Sequence, residues 1–347
     1  MVLMRVIIPN TTVSFTPEVQ YFLFSYQFLM ITTAILGNSI VVYATRRYNA
    51  IHLDTPSVLL TQNLAVTDIN LIVIAYVPKL FTLYAGKWVL GSGVCYWTAF
   101  SQFVPGTVEI VTLTSISAYR CYMVRFPFRR PPKAAPTKVL IVVMWLTAMI
   151  FPVIFVVANR STAIFDVRTL ACTTNVGLHH RHLALSALFL FGIIPVTLTI
   201  NLNLYILACA FWITPASPSA SARKYNRQAL ITVNAICWIF VLSWVPYVVR
   251  AILTLISIPL PLWFYTMQYN LNIISLTFNP IVYTITNRKF RRFLARRIAR
   301  LSFMLVISRR SLFKDDMNNN RDDIENIDCH ILNQVIVLPR IARDTEL

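Results

Sequence analysis

Seven long runs of apolar residues follow one another along the chain, separated by short polar segments. The runs cover residues 22–45, 57–83, 93–124, 137–158, 183–212, 228–256 and 262–286. Each run exceeds the ~20 residues that a helix needs to cross ~30 Å of hydrocarbon. The strict alternation of a membrane barrel is absent, so each backbone polar group in lipid must be bonded within its own segment. The pattern therefore predicts an all-α membrane protein, a seven-transmembrane helix bundle.

A short eighth helix is predicted at the membrane interface over residues 287–301. Its apolar residues fall on one helical face and arginines cover the rest, a pattern that favours the surface of an anionic membrane. Membrane lipids are therefore expected partners. The predicted organisation is an extracellular tail over 1–21, a seven-helix domain over 22–286, the interfacial helix over 287–301 and a disordered cytoplasmic tail over 302–347.

Composition and charge agree with a membrane protein. Hydrophobic residues make up 57% of the chain and charged residues 13%, whereas a soluble domain carries about a quarter charged residues. The net charge of +18 would suggest a nucleic-acid partner in a soluble protein, but the apolar composition argues against that interpretation. We expect no nucleic-acid binding.

The distribution of basic residues predicts the orientation. Lysines and arginines concentrate in residues 46–47, 125–138, 223–227 and 288–300, which all lie on one side of the bundle. The positive-inside rule makes that side cytoplasmic. The chain is thus expected to be a multi-pass plasma-membrane protein with an extracellular N-terminus and a cytoplasmic C-terminus. Asn10 and Asn159 begin glycosylation sequons on the predicted outer side.

Local motifs recur in a fixed order along the seven runs. They are Gly37-Asn38 in span one, Asn63 to Asp68 in span two, Trp88 in the following loop, Cys95 at the head of span three and Arg120 at its end, Trp145 in span four, Pro195 in span five, Phe240 and Ser243 to Tyr247 in span six, and Asn279-Pro280 with Tyr283 in span seven. In order and spacing this set resembles the rhodopsin-like (class A) G-protein-coupled receptor family over residues 20–300. The resemblance implies a receptor that binds an extracellular ligand, a peptide or a small molecule, and activates heterotrimeric G proteins.

The resemblance also implies roles for single residues. Cys95 and Cys172 correspond to the family's outer disulfide, and both lie on the oxidising side of the membrane. The residues that match the family's activation switch are Ile110, Arg120, Pro195, Phe240, Trp244, Asn279, Pro280 and Tyr283. Ligand binding outside would move the inner end of span six outward and expose Arg120 to the G protein.

Two departures from the family pattern concern the inner end of the bundle. Tyr119 stands where an acid usually precedes Arg120, and Asn226 lies in the stretch of span six where another acid is usual. Without these ionic partners we expect measurable ligand-free signalling. Asn203 replaces a tyrosine that usually supports the active state, which works against that expectation.

Asp68 and Glu109 are acids inside apolar runs, where charges are expensive and mark functional sites. The family's sodium pocket is implied at a set of five residues, in which Glu109 replaces a small residue. The set is Asn38, Asp68, Glu109, Ser275 and Asn279. Two buried carboxylates do not both ionise cheaply. Either the two acids share a proton, or they hold Na⁺, or Glu109 simply faces a water-filled gap, and the sequence leaves all three interpretations open.

The ligand class is constrained at single positions. Ile273 stands where a retinal-binding receptor has lysine, so no retinal is expected, and Gln102 stands where amine receptors have aspartate. The predicted ligand-binding residues are Gln102, Phe103, Gly106, Trp244, Tyr247, Tyr265 and Tyr269, with Lys79 and Arg250 at the rim. A basic rim attracts anions, which predicts an anionic small molecule or acidic peptide. Alternatively, these cations anchor helix ends by snorkelling.

Other function classes have less support. The alternative is an ion- or proton-translocating or non-signalling scaffold protein, although the internal repeats of transporters are missing. No nucleophile–base pair, metal-ligand cluster or phosphate loop occurs in the sequence, so we expect no enzyme activity and no cofactor other than Na⁺. The tail offers four phosphate acceptors, Ser302, Ser308, Ser311 and Thr345, so we expect only weak arrestin recruitment.

Overall fold

The chain divides into two units, Met1–Arg288 and Lys289–Leu347. A computed structural model describes residues 5–7, 15–49, 56–126, 133–159, 162–174, 181–212, 220–286, 290–291, 294–297 and 299. In the second unit the described residues are helical, within the predicted interfacial helix. The predicted tail over 302–347, with its four phosphate acceptors, lies outside the described residues.

The described part of the first unit contains seven helical spans. Four spans are single helices: the first is α1 (Pro17–Asn49), the fourth α6 (Ala134–Asn159), the sixth α9 (Ala220–Leu255) and the seventh α10 (Leu262–Thr286). The second span consists of α2 (Pro56–Leu71), a π turn (Ile72–Tyr76) and α3 (Val77–Ala85), and the third of α4 (Gly91–Ser101) and α5 (Phe103–Arg125). The fifth span consists of α7 (Arg181–Leu188), a π turn (Phe189–Ile193) and α8 (Ile194–Trp212). The predicted seven-helix bundle is confirmed.

Five of these spans, the first, second, fourth, fifth and sixth, are long and apolar enough by composition to cross a membrane. Spans three and seven carry more polar residues, and several of these, such as Glu109 and Asn272, are buried inside the bundle. Large apolar side chains such as Leu146 and Leu242 are exposed on other spans. This inverted arrangement is expected of helices whose outer faces meet lipid.

Span six begins earlier than the apolar pattern predicts. Helix α9 starts at Ala220, whereas the apolar run starts at residue 228. The added segment contains the basic stretch 223–227, which hydropathy cannot detect as helical. The helix therefore continues past the predicted membrane boundary as a polar extension.

Prolines shape the spans in two different ways. Pro78 and Pro195 each follow a π turn, whereas Pro152, Pro246 and Pro280 lie inside continuous helices. Proline lacks an N–H and crowds the preceding turn, so a wider turn relieves the clash at the first two.

Spans one and seven approach each other closely at Gly37. A Cβ at this position would lie 2.7 Å from Cγ of Pro280, closer than packed carbon atoms tolerate. The absence of a side chain at Gly37 is therefore what lets α1 pack directly against the proline of α10.

A small sheet lies at the end of the bundle where span three begins. Strand β2 (Thr162–Asp166) pairs antiparallel with β3 (Ala171–Thr174) and parallel with β1 (Arg5–Ile7). The turn between β2 and β3 places Leu170 at a φ of 54°. The sequence predicts an N-terminal tail here and gives no indication of β1, because three residues are too few for a periodic signal.

Candidate functional site

A disulfide fixes the sheet to span three. Cys95 in α4 and Cys172 in β3 are bonded, with their Cα atoms 5.2 Å apart, as the family resemblance implies. Both cysteines are buried in an apolar cluster with Trp88 and Phe165, whose rings are 5.8 Å apart. The sheet is thereby held over the outer end of the bundle.

Gln102 also links span three to the sheet. Its side-chain Nε2 donates a hydrogen bond of 3.3 Å to the carbonyl of Cys172. Gln102 therefore supports the sheet as well as lying at the predicted pocket. Phe103 follows it as the first residue of α5 and is half-buried.

Trp244 lies at the base of the predicted ligand pocket and is buried. Its ring centroid is 5.7 Å from that of Phe240 and 5.3 Å from that of Tyr247, which it meets edge-on. A Cβ at Gly106 would lie 3.8 Å from Cη2 of Trp244, so span three comes within van der Waals contact of the indole. The structure thus brings together four of the predicted residues.

Spans two and seven meet above this floor through stacked tyrosines. Tyr76 and Tyr269 stack with their ring centroids 4.8 Å apart, and the Nζ of Lys79 lies 3.2 Å from the centroid of Tyr269. Lys79 is only 8% exposed. Lys79 therefore turns inward onto an aromatic face, and the snorkelling interpretation is wrong for this residue.

Two arginines complete the outer rim. The Arg250 guanidinium lies 5.1 Å from the ring of Tyr247, and that of Arg168 lies 5.4 Å from the ring of Tyr265. Arg168 also forms an ion pair with Asp166, with Nε 3.1 Å from Oδ1. This hydrogen-bonded pairing raises the pKa of Arg168. Arg168 cannot be identified as a rim residue from the sequence, because only the hairpin of β2 and β3 brings it above Tyr265.

The predicted packing switch lies beneath the pocket. Ile110, Phe240 and Trp244 belong to one buried apolar cluster. Pro195 is joined to span three through Thr114, whose hydroxyl lies 3.2 Å from the Pro195 carbonyl and 2.8 Å from the hydroxyl of Thr199. The pattern of apolar residues gives no sign of this threonine pair.

The two acids lie deeper in the bundle, both fully buried. Asn279 donates a hydrogen bond of 2.9 Å to Oδ2 of Asp68. Glu109 lies within electrostatic range of Asp68 and beside the Trp244 indole, but neither of its carboxyl oxygens receives a well-formed hydrogen bond. Oδ1 of Asp68 and the hydroxyl of Ser275 also lack hydrogen-bond partners in the part of the chain that the structure describes.

Asn38 occupies the edge of this predicted set rather than its centre. Its side chain donates to the backbone carbonyls of Ala34 and Leu276, at 3.0 and 3.2 Å. Asn38 therefore joins span one to span seven, and within the described residues its side chain bonds to backbone carbonyls and not to Asp68.

A polar network links spans three, five and six near Arg120. Asn234 donates to the backbone carbonyl of Asn203 at 2.8 Å, and Asn203 donates to the hydroxyl of Ser117 at 2.9 Å. Ser117 in turn lies 3.6 Å from the sulfur of Cys237. We call these four residues the inner clasp. An asparagine inside an apolar run is the sequence signal that would have identified Asn234.

Arg120 itself has few partners among the described residues. Its Nη2 donates a 3.4 Å hydrogen bond to Ser57 at the start of α2, and its Nε is buried without a partner. Tyr119, Tyr283 and Cys237 lie within electrostatic range of the guanidinium. The side chain of Asn226 lies outside the described residues.

Two further predicted positions cannot be placed in this geometry. Asn10 lies outside the described residues, and Asn159 ends α6 with a side chain that is not described. Glycosylation at both sites stays a prediction.

Comparison with known proteins gives the same architecture. The chain is similar to squid rhodopsin in its solved structure, with a TM-score of 0.66 at 17% identity over 85% of this chain and 92% of that one. At this identity the likeness establishes the fold alone.

Sequence relatives carry the names of several different receptors. The chain is 27% identical to a GQ-coupled rhodopsin of Mizuhopecten yessoensis, over 82% of this chain and 60% of that protein. It is 24% identical to galanin receptor 2a of Danio rerio, over 78% of this chain and 75% of that protein. It is 23% identical to the neuromedin-K receptor of Homo sapiens, over 76% of this chain and 58% of that protein. The matches thus span less than two thirds of the rhodopsin and of the neuromedin-K receptor.

A family model covers most of the membrane bundle. Residues 37–283 match the model of the seven-transmembrane receptors of the rhodopsin family. This range runs from Gly37, which packs against Pro280, to Tyr283 near Arg120, and so includes both the aromatic pocket and the inner clasp. The chain belongs to the rhodopsin family of seven-transmembrane receptors.

Proposed function

We propose that this protein is a plasma-membrane receptor that binds an extracellular ligand among spans two, three, six and seven and activates heterotrimeric G proteins from its inner face. The observation that carries the proposal is span six itself. Helix α9 bears Trp244 at the floor of the aromatic pocket and Asn234 in the inner clasp. One rigid element thus connects the two sites.

The mechanism follows from the contacts that α9 makes at its two ends. A ligand that presses on Trp244 also acts on Phe240 and Ile110, because the three pack in one buried cluster. Displacement of α9 at its inner end breaks the hydrogen bond from Asn234 to the Asn203 carbonyl. Ligand binding then shifts the population between two packings of the bundle, and the second packing exposes Arg120.

Asn279 and Pro280 connect this movement to span seven. Asn279 is bonded to Asp68 in span two, and Pro280 interrupts the backbone ladder of α10 one residue later. Tyr283 lies one turn further along, within electrostatic range of Arg120. We infer that rearrangement at Asn279 is transmitted past Pro280 to Tyr283.

The buried acids fit a sodium ion. Four buried oxygen atoms receive no well-formed hydrogen bond from the described residues, although the Trp244 indole lies beside Glu109: Oδ1 of Asp68, both carboxyl oxygens of Glu109, and the hydroxyl of Ser275. A hard cation is satisfied by oxygen ligands and offsets the repulsion between two carboxylates. We therefore propose that Asp68, Glu109 and Ser275 hold Na⁺, with Asn279 orienting Asp68. Bound Na⁺ would supply charge neutralisation within the bundle.

Orientation and the remaining partners belong to the same proposal. The basic segments support a cytoplasmic C-terminus, with the helix over 287–301 against anionic lipid. The few phosphate acceptors in the tail support weak arrestin recruitment. Relatives of comparable identity are named for rhodopsin, galanin and neuromedin K, so their names do not select one ligand for this chain.

The test is nucleotide exchange by purified G proteins with the receptor in lipid nanodiscs. We expect ligand-free exchange above empty nanodiscs, and its loss in Arg120→Leu. Arg125→Leu is the matched control, because Arg125 lies on the same helix but is exposed and stacks on Phe126 at 5.5 Å. Exchange that survives in Arg120→Leu would contradict the proposal. Absence of exchange with every G-protein family, together with ion flux into liposomes, would support the translocating alternative.

A further inference from the structure

The predicted ligand pocket contains a buried cation, Lys79, for which the described residues provide no free counter-ion. Lys79 is 8% exposed, and its ammonium lies on the face of Tyr269 at 3.2 Å from the ring centroid. A cation–π contact is favourable, but it provides no acceptor atom for the N–H donors of the ammonium. Removing an ammonium from water is costly unless a charged partner compensates.

The charged groups within electrostatic range of Lys79 do not provide that compensation. They are Arg250, which repels the ammonium, and Asp166, which attracts it. Asp166, however, is bound by Arg168 through both of its carboxyl oxygens, at 3.1 and 3.4 Å. Among the described residues no acid is therefore left to pair with Lys79.

Two further donors near Lys79 lack acceptors. The Nε of Arg250 and the hydroxyl of Tyr269 are buried and have no hydrogen-bond partner among the described residues. Arg250 otherwise contacts the ring of Tyr247, and Tyr269 stacks on Tyr76. The Lys79 ammonium on the Tyr269 ring, the Tyr269 hydroxyl and the Nε of Arg250, which is within electrostatic range of Lys79, are thus three donors without an acceptor among the described residues.

We propose that Lys79, Arg250 and Tyr269 form a subsite for the oxyanion head of a small organic anion, a carboxylate, sulfate or phosphate on an apolar body. Binding of the anion does not depend on the proposed receptor function; only its role as the agonist rests on that function. The head would accept hydrogen bonds from the three donors. The bonds from Lys79 and Arg250 join opposite charges, and the bond from the Tyr269 hydroxyl goes to a charged acceptor, so all three are charge-assisted. The body would lie against Tyr76, Tyr247 and the Trp244 floor.

The choice of an anion over a cation also follows from the rest of the pocket. Gln102 supplies a neutral amide, which is already bonded to the Cys172 carbonyl. A protonated amine would meet Lys79 and Arg250 at short range with no acid between them. A neutral ligand would leave both cations as they are, whereas an anion satisfies all three donors at once.

The experiment measures thermal unfolding of the full-length receptor in neutral-lipid nanodiscs with simple probes. Phenylacetate, phenyl sulfate and phenyl phosphate are each compared with neutral phenylacetamide at matched ionic strength. We expect at least one anion to raise the Tm of the wild type more than the amide does. The anion that raises the Tm more than the amide does identifies the chemical class of the head group.

Three variants make the result specific. Lys79→Met should bind the responding anion at least about tenfold more weakly, and Arg250→Gln should weaken it in the same direction. Lys87→Met is the matched control, because Lys87 is exposed just beyond α3 and should leave the anion response unchanged. Lys79→Met removes a buried charge, so we expect its ligand-free Tm to equal or exceed that of the wild type.

Two results would overturn the anion subsite. In one, none of the three anions stabilises the wild type beyond the amide. In the other, the responding anion stabilises Lys79→Met and Arg250→Gln as strongly as the wild type and Lys87→Met. Because the thermal unfolding assay involves no G protein, its result can contradict the anion subsite without contradicting the proposed receptor function. A receptor that drives nucleotide exchange but ignores the anions overturns only the subsite, and one that binds the anion but never couples overturns only the proposed function.

Discussion

The inner clasp should restrain the receptor in its inactive packing, and Asn234→Ala tests this directly. The Asn234 side chain on span six donates to the backbone carbonyl of Asn203 on span five at 2.8 Å, and Asn234 is 1% exposed. This bond exists only while the inner halves of the two spans are packed together. Its loss therefore destabilises the closed packing and leaves the open one unaffected.

The magnitude follows from the bond that is removed. A buried hydrogen bond contributes about 0.5–1.5 kcal/mol net, and 1.4 kcal/mol corresponds to a tenfold change in an equilibrium constant. A loss of about 1 kcal/mol then multiplies the open-to-closed ratio about fivefold. We expect Asn234→Ala to raise ligand-free nucleotide exchange by roughly that factor.

The assay is ligand-free exchange in nanodiscs at equal receptor amounts. Asn201→Ala is the matched control, because Asn201 is exposed on the same span five and its one side-chain bond among the described residues goes to the Thr197 carbonyl of its own helix, at 2.8 Å. Exchange in Asn234→Ala that equals or falls below that of both the wild type and the control would refute the restraining role of the clasp. The clasp would then be a packing contact common to both states.

Three other predictions concern single positions. Gly37→Ala should destabilise the receptor by about 1–3 kcal/mol through its clash with Pro280, seen as a lower Tm, whereas Gly93→Ala, with open space around it, should not. Tyr119→Asp should lower ligand-free exchange by giving the adjacent arginine a charged partner, and exchange equal to that of the wild type would contradict this. Replacing Na⁺ by N-methylglucamine should lower the Tm of the wild type but not of Glu109→Gln, and equal Na⁺ sensitivity of both proteins would exclude Glu109 as a ligand.

At the inner end of the bundle, the sequence reveals which residues depart from the family pattern, and the structure reveals what Asn203 contacts. Sequence comparison with the family pattern shows that Tyr119 replaces an acid and that Asn203 replaces a tyrosine. The structure adds that Asn203 is bonded on both sides, to Ser117 and from Asn234. We expect the clasp to supply a restraint where the ionic one is missing, so ligand-free signalling stays a prediction with two opposing contributions.

The membrane spans and the disulfide could be predicted from the chain alone. Apolar runs of sufficient length fix the number of spans, because a backbone in hydrocarbon has no alternative to the helix. The pairing of Cys95 with Cys172 came from ordered motifs and is confirmed. The strand at Arg5–Ile7 could not be predicted, because it forms only by pairing with β2, far along the chain.

The sequence by itself determined the bundle, the motif residues and the excess of positive charge around the outer pocket. It could not determine where each charge points, because a lysine near a helix end can reach either solvent or the interior. Only the tertiary structure decided that Lys79 lies on Tyr269 while Arg168 takes up Asp166. The reason is physical: periodicity records which face of a helix a residue occupies, whereas a side chain's partners come from other spans whose distance and rotation are set by the packing of the whole bundle.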